Sequence, residues 1–158
     1  MESYPPFQVI IGFTGTKHGM TSAQFETVRN LLCRWHVNEI HHGDCIGADE
    51  QVAGIAKELQ IRAVAHPASD VAARWRAYTD ADEICLARPA LARNRDIAHA
   101  GKLTIATPRE DVEQRRSGTW ATVRYTVQAG HSCYLVMPDG SIQVRKSEGI
   151  TSARVALL

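Results

Sequence analysis

The sequence predicts one α/β domain with a doubly wound, mostly parallel sheet of about five core strands and helices on both faces. Three observations predict it. Short β-branched runs alternate with segments of helical period, and each run closes on a turn rich in glycine, threonine or proline. The 158 residues also suffice for a core without a metal or disulfide. Strands in such alternation pair in parallel, because right-handed crossovers place the connecting helices over the sheet. The whole chain, 1–158, is read as a single domain, with its core from about 7 to 140 and an edge strand and tail over 141–158.

Phe7 to Phe13 reads as the first buried strand, ended by the turn Gly12-Phe13-Thr14-Gly15-Thr16. A helix follows: Thr21 suits the N-cap, Gln24 completes a capping box, and Phe25, Val28, Leu31, Leu32 and Trp35 recur on one face. Val37 to His42 is a second strand, Ala48 to Leu59 a second helix with Val52, Ile55, Ala56 and Leu59 inward, and Ile61 to Ala65 a third strand. From Ala68 to Pro89 the pattern weakens into a long, partly helical excursion, the kind of loop that often carries function. A helix over Ala90 to Ala100, a strand over Lys102 to Ala106, a helix over Trp120 to Ala129 and a strand over Ser132 to Met137 complete the core. Ile142 to Leu158 is left as an edge strand and tail.

Composition narrows the function. The formal net charge of +1 at pH 7 gives no global pull toward nucleic acid or anionic lipid. Between Arg62 and Arg124, however, cations outnumber acids and nearly all are arginine, the side chain that forks onto phosphate. Cys33, Cys45, Cys85 and Cys133 form no C-x-x-C pair, so neither zinc nor another metal is expected, and no cofactor. No basic leader opens the chain and no apolar run approaches the roughly 20 residues that span a bilayer, which predicts a cytoplasmic protein with reduced thiols.

In a doubly wound sheet, ligands bind at the carboxyl ends of the strands, where the strand order reverses. That rule picks out four loops, Gly12 to Gly19, His41 to Asp49, His66 onward and Thr107 to Thr119, and the start of the fourth helix adds Arg93 to Asp96. Gly12, Thr14, Gly15 and Thr16 can hold an anion through backbone N–H groups and hydroxyls, although the spacing fits neither the dinucleotide fingerprint nor the P-loop. In His41-His42-Gly43-Asp44-Cys45-Ile46-Gly47-Ala48-Asp49, Gly43 and Gly47 permit close approach and Asp44 can accept from ribose. Asp49 lies in a first helical turn, Cys45 reads as an inert small residue, and the adjacent histidines diverge across a strand. In Arg93-Asn94-Arg95-Asp96 the two arginines cannot share one pocket on a regular helix; Asn94 is placed nearest the ligand, and Arg93 can pair with Asp96. Finally, Arg116-Ser117-Gly118-Thr119 precedes a helix containing Arg124, expected to reach inward. Its unpaired N–H groups and positive dipole end suit phosphate. Alone, Ser117-Gly118-Thr119 reads as an N-capped helix; the other three loops make it a candidate phosphate cradle.

In this order, these four segments resemble the SLOG superfamily of Rossmann-like nucleotide-binding domains over about Val9 to Gly140. The chain is most similar to the small stand-alone proteins related to YpsA and YspA. The Arg-Asn-Arg and Ser-Gly-Thr segments also resemble DNA-processing protein A. The resemblance implies a nucleotide or nucleotide-derived ligand at the carboxyl edge of the sheet, and a homodimer.

Lonely Guy phosphoribohydrolases, in the same superfamily, carry P-G-G-x-G-T-x-x-E, whose Gly-Thr matches Gly118-Thr119 and puts Thr122 where the acid belongs. Threonine cannot stabilise a cationic sugar or direct water, so the expectation moves from hydrolysis to binding. Glu113 is the candidate acid/base if hydrolysis occurs. A third reading, single-strand DNA binding, would use Trp75, Tyr78 and Trp120 with Arg74 and Arg76, and is disfavoured by the near-neutral charge. Trp35 reads as core, and Trp75 as packing beneath the excursion or as a base-stacking surface.

Overall fold

The computed structural model describes residues 8–147 and 149–151. In chain order it contains β1 (Ile10–Gly15), α1 (Ser22–Arg34), β2 (Glu39–His42), α2 (Ala48–Glu58), β3 (Arg62–Ala65), a 3-10 turn (Ala73–Trp75), β4 (Glu83–Ile84) and α3 (Ala90–Ala100). β5 (Leu103–Thr107), α4 (Gly118–Gln128), β6 (Ser132–Val136), β7 (Ile142–Lys146) and β8 (Gly149–Thr151) follow. They form one eight-stranded sheet in the order β4-β3-β2-β1-β5-β6-β7-β8.

The α/β doubly wound class is as expected, and the strand count is larger. The five expected core strands are β3, β2, β1, β5 and β6, all paired in parallel. The two-residue β4 adds a parallel edge, and β7 and β8 continue the other side antiparallel. The segment after Ser141, expected to be an edge strand, contains β7, which is paired on both sides, with β8 at the edge; residue 148, the tail beyond Thr151 and the expected strand start at Phe7 lie outside the described residues.

β1 runs through Gly15 rather than turning at Gly12, because as a central strand it has a ladder on both sides. Gly12 to Gly15 pair with Thr104 to Thr107 of β5. The capping box of α1 forms as expected: Gln24 N donates to Thr21 Oγ1 (3.0 Å), and Thr21 N donates to Gln24 Oε1 (3.0 Å). Gln24 is buried and its Nε2 also donates to the carbonyls of Pro108 (2.8 Å) and Val136 (2.9 Å), so this cap ties α1 to the ends of β5 and β6.

One face of the sheet packs Ile11, Phe13, Ile40, Ile105 and Val136 against α1 and α2. Trp35 is only partly buried there, edge-on to Tyr134 with centroids 4.9 Å apart. On the other face Trp120, Val123, Ala106, Cys133 and Leu135 form a second cluster under α4.

The excursion 68–89 is less helical than expected, with one 3-10 turn and the short β4. Its polar groups are satisfied by another segment instead: Asp44 Oδ1 accepts from Thr79 N (2.9 Å) and Thr79 Oγ1 (2.6 Å), Asp44 Oδ2 from Arg76 Nε (3.0 Å), and the Asp44 carbonyl from Ala77 N (2.8 Å). From β4 the chain crosses through α3 to β5, on the far side of β1. Strand order therefore reverses between β1 and β5, and the loops leaving these two strands open a crevice.

Gly12 is part of this packing rather than of the crevice. A Cβ there would lie 2.6 Å from the Ile97 carbonyl of α3. Gly12→Ala is expected to lower stability by about 1–3 kcal/mol through overpacking. Gly54→Ala, with nothing within 4 Å of its Cβ in exposed α2, should raise it slightly. Urea unfolding of both variants checks the contrast, and equal effects would contradict it.

Candidate functional site

The crevice is a cleft of about 850 Å³, within the range of small-molecule sites. The end of β1 contributes Thr14 and Gly15 and the turn after it Thr16; the loop after β2 contributes Gly43 and Cys45 and the first turn of α2 Asp49; α3 contributes Arg93 and Asn94. The loop from β5 contributes Glu113, Arg116, Ser117, Gly118 and Thr119. Of the residues singled out from sequence, Gly12, Asp44 and Gly47 do not line it. Asp44 is 1% exposed and its carboxylate accepts three hydrogen bonds from the excursion, so it does not face a ribose in the cleft. Gly47 takes φ 87°, and a Cβ there would sit 2.4 Å from the Lys17 carbonyl; it lets the loops after β1 and β2 touch.

At the start of α4, Ser117 is the N-cap, with its Oγ accepting from Trp120 N (3.3 Å). The helix begins at Gly118, two residues before the expected Trp120, which presents the orphan N–H groups of its first turn to the cleft. A Cβ on Gly118 would meet only Asn94 Nδ2, at 3.8 Å. Asn94 Oδ1 accepts from Arg93 Nε (2.9 Å), which leaves its amide N–H groups facing the helix start. A dipole end, an amide donor and an open glycine thus converge, an arrangement suited to an anion.

Arg93 and Arg95 diverge as expected. Arg95 is exposed and lies over the Tyr125 ring (4.4 Å), while Arg93 is 7% exposed and donates from Nη1 to the carbonyls of Gly43 (2.6 Å) and His66 (2.9 Å). Asp96 pairs with Arg88 (2.7 Å) instead of with Arg93. The histidines also diverge: His41 Nδ1 bonds His66 Nε2 (2.7 Å) and His41 Nε2 bonds Glu39 (2.8 Å), while His42 is buried and accepts from Asp44 N.

Glu113 bridges Arg124 (3.0 Å) and Arg145 (2.5 Å). The Arg145 hydrogen bond chiefly holds its carboxyl below the ordinary range, so it is an ionised brace for the β5–α4 loop. Arg124 does not reach inward: besides Glu113 it bonds the carbonyls of Gln114 (3.4 Å) and Arg115 (3.3 Å) of that loop. Thr122 is fully buried and donates to the Gly118 carbonyl (3.0 Å). Burial pushes the Cys45 thiol up, keeping it protonated.

Sequence reading missed Lys17, His18, Arg109 and Arg115 on the rim. All four lie within the strand-end loops picked out from sequence, and only Arg109 and Arg115 also belong to the arginine surplus. Lys17 Nζ sits over the Trp75 ring (4.2 Å), and Arg76 lies over Tyr78 (4.4 Å). Arg109, Arg115 and Arg116 make no ion pair among the described residues, so the cleft carries uncompensated positive charge.

No family model matches the sequence, and no curated protein matches it. Solved structures do. The molybdenum cofactor binding protein from the phototrophic bacterium Rippkaea orientalis superposes with a TM-score of 0.64 at 18% identity, over 84% of this chain and 78% of that one. The fold is the one that the SLOG resemblance implies. DNA processing protein A from Streptococcus pneumoniae (TM-score 0.56, 19% identity) shares it over 82% of this chain and 50% of its own. The structural-genomics target TM1055 (0.54, 12%) shares it over 78% and 71%.

Asp49 sets a pH dependence. Burial raises its carboxyl from 3.8 to about 6, only partly offset by the Arg93 charge and the N–H groups of Cys45 and Gly43. Between about pH 4 and 6 the native state holds a proton that the unfolded chain has released, so the contribution of Asp49 is largest in acid and is lost as pH rises to about 6. His42 and His66, both pushed down to about 4 by burial, act in the opposite sense over pH 4–6.5. The Asp49→Asn variant isolates the carboxyl. Its stability relative to wild type is expected to climb from pH 4 to 6, by up to about 3 kcal/mol, then level. Urea unfolding across that range reads it, and a flat difference would refute the assignment.

Proposed function

We propose that this chain binds a nucleotide or nucleotide-derived small molecule at the carboxyl edge of its sheet, sensing, carrying or sequestering it without cleaving it. The observation that carries this reading is the open first turn of α4, where Gly118 faces Asn94 Nδ2 inside a cleft rimmed by unpaired arginines. Arg116, Ser117, Gly118, Thr119 and Asn94 hold the phosphate; Thr14, Gly15 and Thr16 line the way to it. The structural likeness to a molybdenum cofactor binding protein supports a small-molecule site on this fold. Hydrolysis is disfavoured because Glu113 is held ionised between two guanidinium groups and Thr122 is buried.

Calorimetry with AMP, ADP-ribose and cyclic AMP is expected to detect binding with no release of free base. Gly118→Asp is the informative variant. Its Cβ has room and an acid at the first helical position favours the helix, so the melting temperature should hold. Its charge would repel phosphate and cut affinity at least about tenfold, about 1.4 kcal/mol. Failure of all three ligands to bind, or an unchanged affinity in Gly118→Asp, would overturn the proposal.

We further propose that the protein is a homodimer joined along the β4 edge, a reading supported by exposed Ile84, Leu86 (91% exposed) and Leu91. Sedimentation equilibrium should show a dimer that Leu86→Lys converts to monomer; a wild-type monomer at micromolar concentration would contradict it.

A further inference from the structure

The cleft contains a second polar feature that phosphate binding does not use. Asp49, in the first turn of α2, is 5% exposed. Its Oδ2 accepts from Cys45 N (3.2 Å), but its Oδ1 is buried without any hydrogen-bond partner. Buried carboxylate oxygens are almost always bonded, and an orphan is costly. The groups beside it leave this oxygen unbonded: Arg93 on α3 acts on the carboxyl through its charge while its Nη1 bonds the Gly43 and His66 carbonyls and its Nε bonds Asn94, and the N–H groups of Cys45 and Gly43 favour the carboxylate without bonding Oδ1. Gly15, which also lines the cleft, lacks a Cβ that would lie 2.4 Å from Ala48 of α2 and 2.2 Å from Thr107 Oγ1 of β5, so it lets α2 and the Asp49 it carries pack close to the ends of β1 and β5.

We propose that Asp49 fixes the end of the ligand remote from the phosphate, its free oxygen accepting a hydrogen bond from an O–H or N–H of the bound molecule. The inference rests on the reading of the cleft as a nucleotide site and names the recognition chemistry at its other end. The donor is a neutral one, since a second phosphate beside a buried carboxylate would be repelled. In a nucleotide two groups qualify, the ribose diol and the exocyclic amine of the base. The hydrogen bond favours the ionised carboxyl, so binding expels the proton that Asp49 carries at mildly acid pH. The other titratable and charged groups facing it are Asp44 and Cys45 on its own loop, Arg93 on α3, Lys17 and His18 after β1, and Arg109, Glu110, Glu113, Arg115 and Arg116 on the β5–α4 loop.

The test uses the full chain, with AMP and inorganic phosphate as probes. Asp49→Asn keeps the shape and an acceptor for Cys45 N, but its amide can set a donor against the donor of the ligand. AMP affinity is expected to fall about ten- to a hundredfold, as for loss of a hydrogen bond to a charged group, with phosphate affinity unchanged. In wild type, 2′,3′-dideoxy-AMP should reproduce the loss if ribose is the donor, and purine riboside 5′-monophosphate if the base amine is. Calorimetry at pH 6 in two buffers of different ionisation enthalpy should show more protons released on AMP binding to wild type than to Asp49→Asn, the remainder in the variant coming from the phosphate itself, whose second pKa is about 6. These wild-type measurements stand even if the variant does not fold. AMP binding of undiminished strength in Asp49→Asn, undiminished binding of both analogues, or proton release equal in variant and wild type would overturn the inference alone. Absence of both AMP and phosphate binding to wild type would instead overturn the nucleotide reading beneath it.

Discussion

The buried guanidinium of Arg93 joins the parts of the site. Desolvating a charge on the scale of several kcal/mol is tolerable only where hydrogen bonds replace water. Here the replacements are the Gly43 and His66 carbonyls at the ends of β2 and β3, together with the Asn94 side chain. One residue of α3 therefore holds two strand-end loops in place, orients the amide that faces α4, and offsets the charge of Asp49. The arrangement requires glycine at 43, because a Cβ there would lie 2.7 Å from Arg93 Nη1.

Around that fastening, the polar groups in and behind the cleft divide by what they already touch. Asp44, Glu110 and Glu113 spend their carboxylates on the chain itself: on the excursion, on Trp120 Nε1 (3.2 Å) and on two arginines. Among the described residues Arg109, Arg115 and Arg116 have no such partners, and Asp49 keeps one oxygen free. The acids that brace the walls and the groups left over for a guest are thus different residues. A pocket with bonded walls and a few unspent donors and acceptors is pre-organised, so a ligand meets little ordering cost.

Much of the fold was legible because its signals are local. The capping box at Thr21 and Gln24, the buried periodicity of Val28, Leu31 and Leu32, and the five core strands follow from side-chain period and turn chemistry within a few residues. Site membership was legible in outline, since the crevice of a doubly wound sheet lies at the strand ends and 12 of the 15 proposed binding residues line it. Roles were less so. Asp44 and Asp49 are both acids on one loop, yet one is filled by residues 32 and 35 positions away and the other is not. Glu113 seemed available in a loop of charges until Arg145, 32 residues later, met it from β7.

Sequence alone determined that strands and helices alternate, where β2 and β3 end, and that a glycine with a hydroxyl on each side lies at the start of a helix; these depend on neighbours along the chain. The tertiary structure decided which polar side chains are spent and which remain free. That division depends on partners brought together only when β1 and β5 pair and α3 crosses behind them. Hydrogen-bond satisfaction is a property of the assembled surroundings, and residue type does not encode it.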